Sequence, residues 1–153
     1  MSKFFLDTEF IEDGKTIDLL TIAIVKETGE EFYMANTQCD LNKANPWVLE
    51  NVFGQIGVVK WQLREHIRDA VLKFVGQDKP EIWSYYADYD WVAVCQLFGR
   101  MIDLPKGWPM YCRDLKQTLD ERNLRVPFEP VIAHNALSDA RWLRDAYNWL
   151  ESK

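Results

Sequence analysis

Hydrophobic and polar positions in this chain follow two rhythms, and the places where one gives way to the other mark its elements. Residues 3–10 (KFFLDTEF) form an apolar run broken by two acids, which reads as a buried strand. Asp13-Gly14 carries a hairpin signal. A second strand is expected from Thr16 to Val25, and after the Thr28-Gly29 turn a third from Glu31 to Ala35. An antiparallel meander therefore opens the chain. Residues 36–45 are polar and loop-like, and Pro46 suits the first turn of a short helix reaching Val52.

The rhythm then lengthens. From Val59 to Val75, Leu63, Ile67, Ala70, Val71 and Phe74 recur on one helical face. A strand is expected from Glu81 to Tyr86, then a helix from Asp88 to Phe98 that stops at Gly99. Trp108 to Arg113 reads as a short strand, and Asp114 can cap a helix running to Asn123. Two prolines make residues 125–132 a loop, and the last helix spans Asn135 to Leu150. Three strands followed by alternating helices and strands predict an α/β domain, a mixed sheet with helices packed on it. The order is similar to the ribonuclease-H-like pattern, where carboxylates on a central strand meet others carried on helices. No repeat, low-complexity tract or linker divides the chain, so residues 1–153 are expected to form one domain.

Composition changes this picture only at a few points. No run approaches the ~20 apolar residues of a membrane span. Met1-Ser2-Lys3 leads straight into a strand, so a cytoplasmic protein without a membrane partner is expected. Cys39, Cys95 and Cys112 lack CxxC spacing, which predicts reduced thiols, with Cys95 and Cys112 in the core. A net charge of −6 argues against gripping long duplex DNA by backbone electrostatics. Bound cations would invert the field locally. Lys60, Arg64 and Arg68 fall at helical spacing beside Trp61; the stripe reads either as a phosphate-backbone contact or as a solvated face.

The candidate chemistry lies in three clusters. Asp7 and Glu9 are two apart on a strand, so they face the same way. Two carboxylates among apolar neighbours need a cation or a shared proton, and hard divalent cations take oxygen ligands. Asp90 sits in the first turn of a helix, where the dipole favours an acid, and Asp88 is an equally placed rival. His134 and Asp139 straddle a loop-to-helix boundary that Asn135 can cap. Asp139 flanks Ala136, Ala140 and Leu143 and so looks toward the sheet, while a loop histidine suits a general base. Each cluster alone has an ordinary reading: Glu9 facing solvent, Asp90 capping, His134 a loop residue, Asp139 a helix-start acid. In this order they describe a site for two divalent cations that hydrolyses a phosphodiester.

DTE, then Tyr-Asp, then H-x4-D resembles the three-part signature of the DEDDh 3′–5′ exonucleases, which include ribonuclease T, oligoribonuclease and proofreading domains. In that superfamily an aromatic residue precedes the second acid, which selects Asp90 over Asp88. The likeness is closer still to the small polyadenylate-specific exoribonucleases called RNase AS. It rests on DTEFIEDG (7–14), NPWV (45–48), ADYDWVAVCQLFG (87–99), C-x-D-L-K-Q (112–117) and HNALSDAR (134–141). The resemblance implies a homodimeric, metal-dependent enzyme releasing nucleoside 5′-monophosphates from the 3′ end of single-stranded RNA, with adenine tails preferred. It implies two Mg²⁺ or Mn²⁺ ions: Asp7, Glu9 and Asp139 hold one, Asp7 reaches the second with Asp90 helping directly or through water, and His134 is the base.

A single-stranded substrate also calls for stacking aromatics. Phe10, next to Glu9, is the first candidate and Trp61 the second, with core packing the alternative for both; Arg64 is a candidate phosphate contact. Two other functions stay open: a 3′–5′ exonuclease on single-stranded DNA, and a nucleotide- or RNA-binding module without turnover.

Overall fold

The strand that opens the chain lies inside a six-stranded sheet of order β4-β3-β2-β1-β5-β6. The computed structural model describes residues 1–77 and 79–153. The strands are β1 (Lys3–Glu12), β2 (Ile17–Lys26), β3 (Glu31–Asn36), β4 (Lys60–Gln62), β5 (Glu81–Ser84) and β6 (Arg113–Asp114). The helices are α1 (Pro46–Asn51), α2 (Arg64–Val75), α3 (Ala87–Phe98), α4 (Leu115–Glu121) and α5 (Ala136–Glu151). β1, β2 and β3 form the expected antiparallel meander, and β1–β5, β3–β4 and β5–β6 pair in parallel. The expected mixed α/β architecture is thus the observed one.

β1 is covered on both faces, and its period of two sorts its residues between them. Phe4 and Leu6 pack with Ile67, Val71 and Val75 of α2 and Val94 of α3. Phe5 points the other way, into Leu143, Ala146 and Leu150 of α5 and Leu115 and Leu119 of α4. Burying a side chain such as Phe5 contributes about 1.5–3 kcal/mol. Asp7 and Glu9 continue the Phe5 face, so the core itself aims both acids toward α5.

Two departures from ideal pairing make room for a site. β1 outruns β5: their ladder joins only Lys3–Phe5 to Glu81–Trp83. Beyond it the edge of β1 is open just where the acids lie. On the other side, the register with β2 slips between Glu9 and Phe10, which face Thr21 and Leu19. Such bulges re-aim side chains beside functional sites.

Several expected boundaries move. The helix expected from Val59 begins at Arg64, because Lys60–Gln62 pairs in parallel with Met34–Asn36 instead. The outer edge of β3 offers unpaired backbone groups, and satisfying them outweighs continuing the helix. The basic stripe is therefore split, with Lys60 and Trp61 on a strand and Arg64 and Arg68 on a helix. β5 stops at Ser84, because Tyr86 adopts a left-handed backbone (φ 58°). The strand expected from Trp108 shrinks to Arg113–Asp114, and α4 ends at Glu121 before a left-handed Asn123 (φ 52°). All three cysteines are free, Cys95 buried and the other two half-buried. Among the described residues no helix is long and apolar enough to cross a membrane.

Candidate active site

Asp7 and Glu9 from β1 meet Asp139 from α5, with a carboxylate oxygen of each lying within 4.8 Å of the others. The first turn of α5 is fixed over β1 by Asn135. Its side-chain oxygen accepts from the Ser138 amide at 2.9 Å, which is the expected cap. Its amide nitrogen donates to the carbonyls of Gln55 (2.8 Å) and Ile56 (3.2 Å), tying the helix start to the turn after α1.

Bringing three carboxylates together changes their acidity. Burial pushes the Asp7 carboxyl well above its usual range, and the charges of Asp90, Glu9 and Asp139 push it further. Burial, then Asp139 and Asp90, raise Glu9 to about 8. Burial and Asp90 raise Asp139 to about 6, against the His134 amide, which favours its charged form. Asp7 Oδ2 is buried with no hydrogen-bond partner among the described residues. Buried polar atoms are rarely left so. An all-oxygen set of crowded, proton-retaining carboxylates with one orphaned oxygen fits a hard divalent cation, which would supply the missing partner and the compensating charge.

Asp90 arrives from the opposite face of β1. Its Oδ1 accepts from the Thr8 amide at 3.2 Å and from the Thr8 hydroxyl, and its Oδ2 accepts from the Ser84 hydroxyl. The carboxylate thus fills the gap where β5 has ended and joins β1 to that end. Burial raises it to about 6 against these bonds. Its charge reaches the other three acids, although it is not one of the converging trio. Helix capping, one of its open readings, is not its role. α3 starts after Tyr86 with no cap from its own side chains, and Asp114 accepts the Tyr86 and Ala87 amides instead, at 3.2 and 3.1 Å. Asp88 is exposed.

His134 lies on the loop just before Asn135, exposed and left-handed (φ 61°). Its ring meets Trp47 of α1 edge-on, 5.3 Å between centroids. A cleft of about 680 Å³ contains Asp7, Glu9, His134 and Asp139 on its walls. Phe10 packs on Tyr89, 5.6 Å between rings. Trp61 sits exposed on β4 against Phe53, and Arg64 pairs with Asp18 at 3.1 Å; none of Phe10, Trp61 and Arg64 lines that cleft.

Asp114 caps α4 as expected, accepting the Lys116 amide at 2.8 Å, but sequence reasoning passed over its hold on α3 and over Thr8, Ser84 and Trp47. Trp47 lies in the quoted NPWV segment and Thr8 between the two acids, yet nothing local marks either as a partner of a distant residue.

The fold has relatives among known structures. An apo exonuclease I superposes with a TM-score of 0.69 at 12% identity, covering 99% of this chain and 42% of its own. A moderately thermophilic exonuclease I from Methylocaldum szegediense gives 0.64 at 12%, covering 99% and 40%. This chain therefore spans about 40% of their length and shares their fold. Residues 2–150 match the 3′–5′ exoribonuclease Rv2179c-like domain, and the chain belongs to that family. It is 40% identical over 146 residues to the 3′–5′ exoribonuclease Rv2179c of Mycobacterium tuberculosis (strain ATCC 25618 / H37Rv), covering 91% of this chain and 87% of that protein. The same figures hold for the 3′–5′ exoribonuclease MT2234.1 of strain CDC 1551 / Oshkosh. The expected class, an exoribonuclease, is the class of the family.

Proposed function

We propose that this protein shortens single-stranded RNA from its 3′ end by metal-assisted hydrolysis, releasing nucleoside 5′-monophosphates, with adenine-rich tails preferred. One observation carries the reading: Asp7, Glu9 and Asp139 converge within 4.8 Å around a buried oxygen of Asp7 that has no partner among the described residues. Membership of an exoribonuclease family supports RNA over DNA as substrate.

Asp7, Glu9 and Asp139 would hold one divalent cation, and Asp7 with Asp90 the approach to a second, Mg²⁺ or Mn²⁺. Cations there supply Lewis-acid chemistry, acidifying water and neutralising charge on the phosphate. His134, exposed at the mouth of the cleft, accepts the proton of the attacking water. Asp90 fixes the alignment of β1 through Thr8 and Ser84. The Phe10–Tyr89 pair, beside Glu9, offers ring surface to the terminal base. The adenine preference and the homodimer rest on the likeness to RNase AS.

Digestion of 3′-tailed RNA homopolymers and matched DNA, with Mg²⁺, Mn²⁺ or EDTA and with Asp7→Ala as control, tests this reading. Metal-dependent shortening by single nucleotides, fastest on adenine, is expected. Shortening without base preference removes the adenine claim. Inert RNA and DNA would remove the enzyme and favour a binding module.

A further inference from the structure

The cleft that holds the acids continues past them, along α4 and the loop between α4 and α5. This arm is lined by Tyr85, Tyr86, Trp142, Phe128, Lys116 and Arg125. At about 680 Å³ the whole cleft lies within the roughly 300–1,000 Å³ of ligand pockets. Its wall is a row of rings: Trp142 meets Tyr85 edge-on at 5.0 Å, and Tyr85 meets Tyr86 at 4.9 Å. Trp142 is anchored by donating its indole N–H to the Phe128 carbonyl at 2.8 Å.

Tyr86 ends the row and is unusual in two ways. It is 65% exposed, and it holds a left-handed backbone (φ 58°, ψ 60°) that aromatic residues rarely adopt. Asp114 keeps it there by accepting the Tyr86 and Ala87 amides while also accepting the Lys116 amide at 2.8 Å. A strained backbone that presents a large ring to a cleft adds nothing to the core, and such strain gathers at binding sites.

The cations decide which part of a strand this arm fits. The terminal nucleotide of an RNA carries one phosphate, the one being cleaved. Any further phosphate contact must come from the chain on its 5′ side. Lys116 is paired with Asp120, which leaves Arg125, exposed on the loop, as the cation offered. Glu129 also lines the arm, so stacking rather than charge would carry most of the binding.

We propose that this arm is a subsite for the RNA strand upstream of the scissile phosphate, with Tyr86 as the platform for the penultimate base and Arg125 contacting the next phosphate. The inference rests on the exoribonuclease reading and deepens it. It is tested with adenine oligomers from dinucleotide to hexamer, dephosphorylated at the 5′ end, using Tyr86→Asn, Tyr86→Phe and Arg125→Gln. Asn tolerates the left-handed backbone, so that change removes the ring and keeps the fold.

Tyr86→Asn should raise KM roughly tenfold on every length, with the loss in KM rather than kcat, and Tyr86→Phe should restore it. Arg125→Gln should raise KM on trinucleotides and longer but spare the dinucleotide, which has no second phosphate. The salt dependence of binding should be shallow, near one phosphate contact. Unchanged KM in Tyr86→Asn, or an Arg125 effect equal at all lengths, would overturn the subsite. If the wild type hydrolyses nothing, the enzymatic reading fails by itself. Fluorescence anisotropy of labelled hexamer then decides the subsite, supporting it if Tyr86→Asn weakens binding and overturning it if affinity is unchanged.

Discussion

The acids and the histidine of this site stand on different ground. Asp7, Glu9, Asp90 and Asp139 rise from a buried strand and two packed helices. Burial, with mutual repulsion among them, raises all four carboxyls above their ordinary range. His134 stands on a loop, exposed, left-handed, and braced by the edge of one tryptophan. Groups that share a cation must keep fixed spacing even when mutual repulsion works against folding. A group that exchanges protons with water must instead reach water. The first kind lowers stability and the second is nearly neutral to it, so substitutions in the two regions should separate activity from stability in opposite ways.

The largest effect is expected from Asp7→Asn. Hydrolysis should fall by roughly 10³-fold or more, since several kcal/mol of stabilisation is lost. In EDTA the same variant should melt at a higher temperature than the wild type, because a buried group that must either take up a proton or bear a repelled charge on folding is gone. RNA turnover and thermal melts check both halves; a lower melting temperature would mean that Asp7 is a structural acid.

His134→Ala should lower kcat by about 10²–10⁴-fold while leaving the melting temperature and the affinity for Mn²⁺ unchanged in calorimetry. Parallel loss of metal affinity would erase the division between the two regions.

Asp90→Ala should fall between these cases. It strips partners from the Thr8 amide and from the hydroxyls of Thr8 and Ser84, costing about 1–3 kcal/mol in denaturant melts. If stability is unchanged and only Mn²⁺ affinity falls, Asp90 serves as a ligand and not as a brace.

The smallest effect is one of pH. Glu9 is raised from 4.5 to about 8, so between those values the folded protein binds more protons than the unfolded chain. Stability from this group is complete at low pH and is lost as pH rises toward about 8. In EDTA, Glu9→Gln should therefore gain on the wild type as pH climbs from about 5 to 8. A gap that stays constant would show that Glu9 is not perturbed.

Much of this division could be read from the chain. Phe4-Phe5-Leu6 marked a buried strand, and period two placed Asp7 and Glu9 on one face. Asn135 marked the start of α5 and so the height of Asp139. What escaped reading was long-range. That Lys60–Gln62 completes a sheet edge depends on β3, whose open backbone groups have no trace in the local pattern. That Asp114 secures the start of α3 depends on a carboxylate 28 residues from Tyr86. For Asp90 the chain offers capping only as the ordinary alternative to a functional acid, because a first-turn acid is usually a cap. Its actual partners lie on β1 and β5, and only the early end of β5 makes room for it.

The most direct test of the acid trio as a cation site is a Mn²⁺ titration near pH 7 in two buffers of different ionisation enthalpy. Carboxyls that retain protons must release them when a cation binds. The account predicts proton release with the wild type and with His134→Ala, and its loss with Asp7→Asn. Binding without proton release, or unchanged binding in Asp7→Asn, would contradict it.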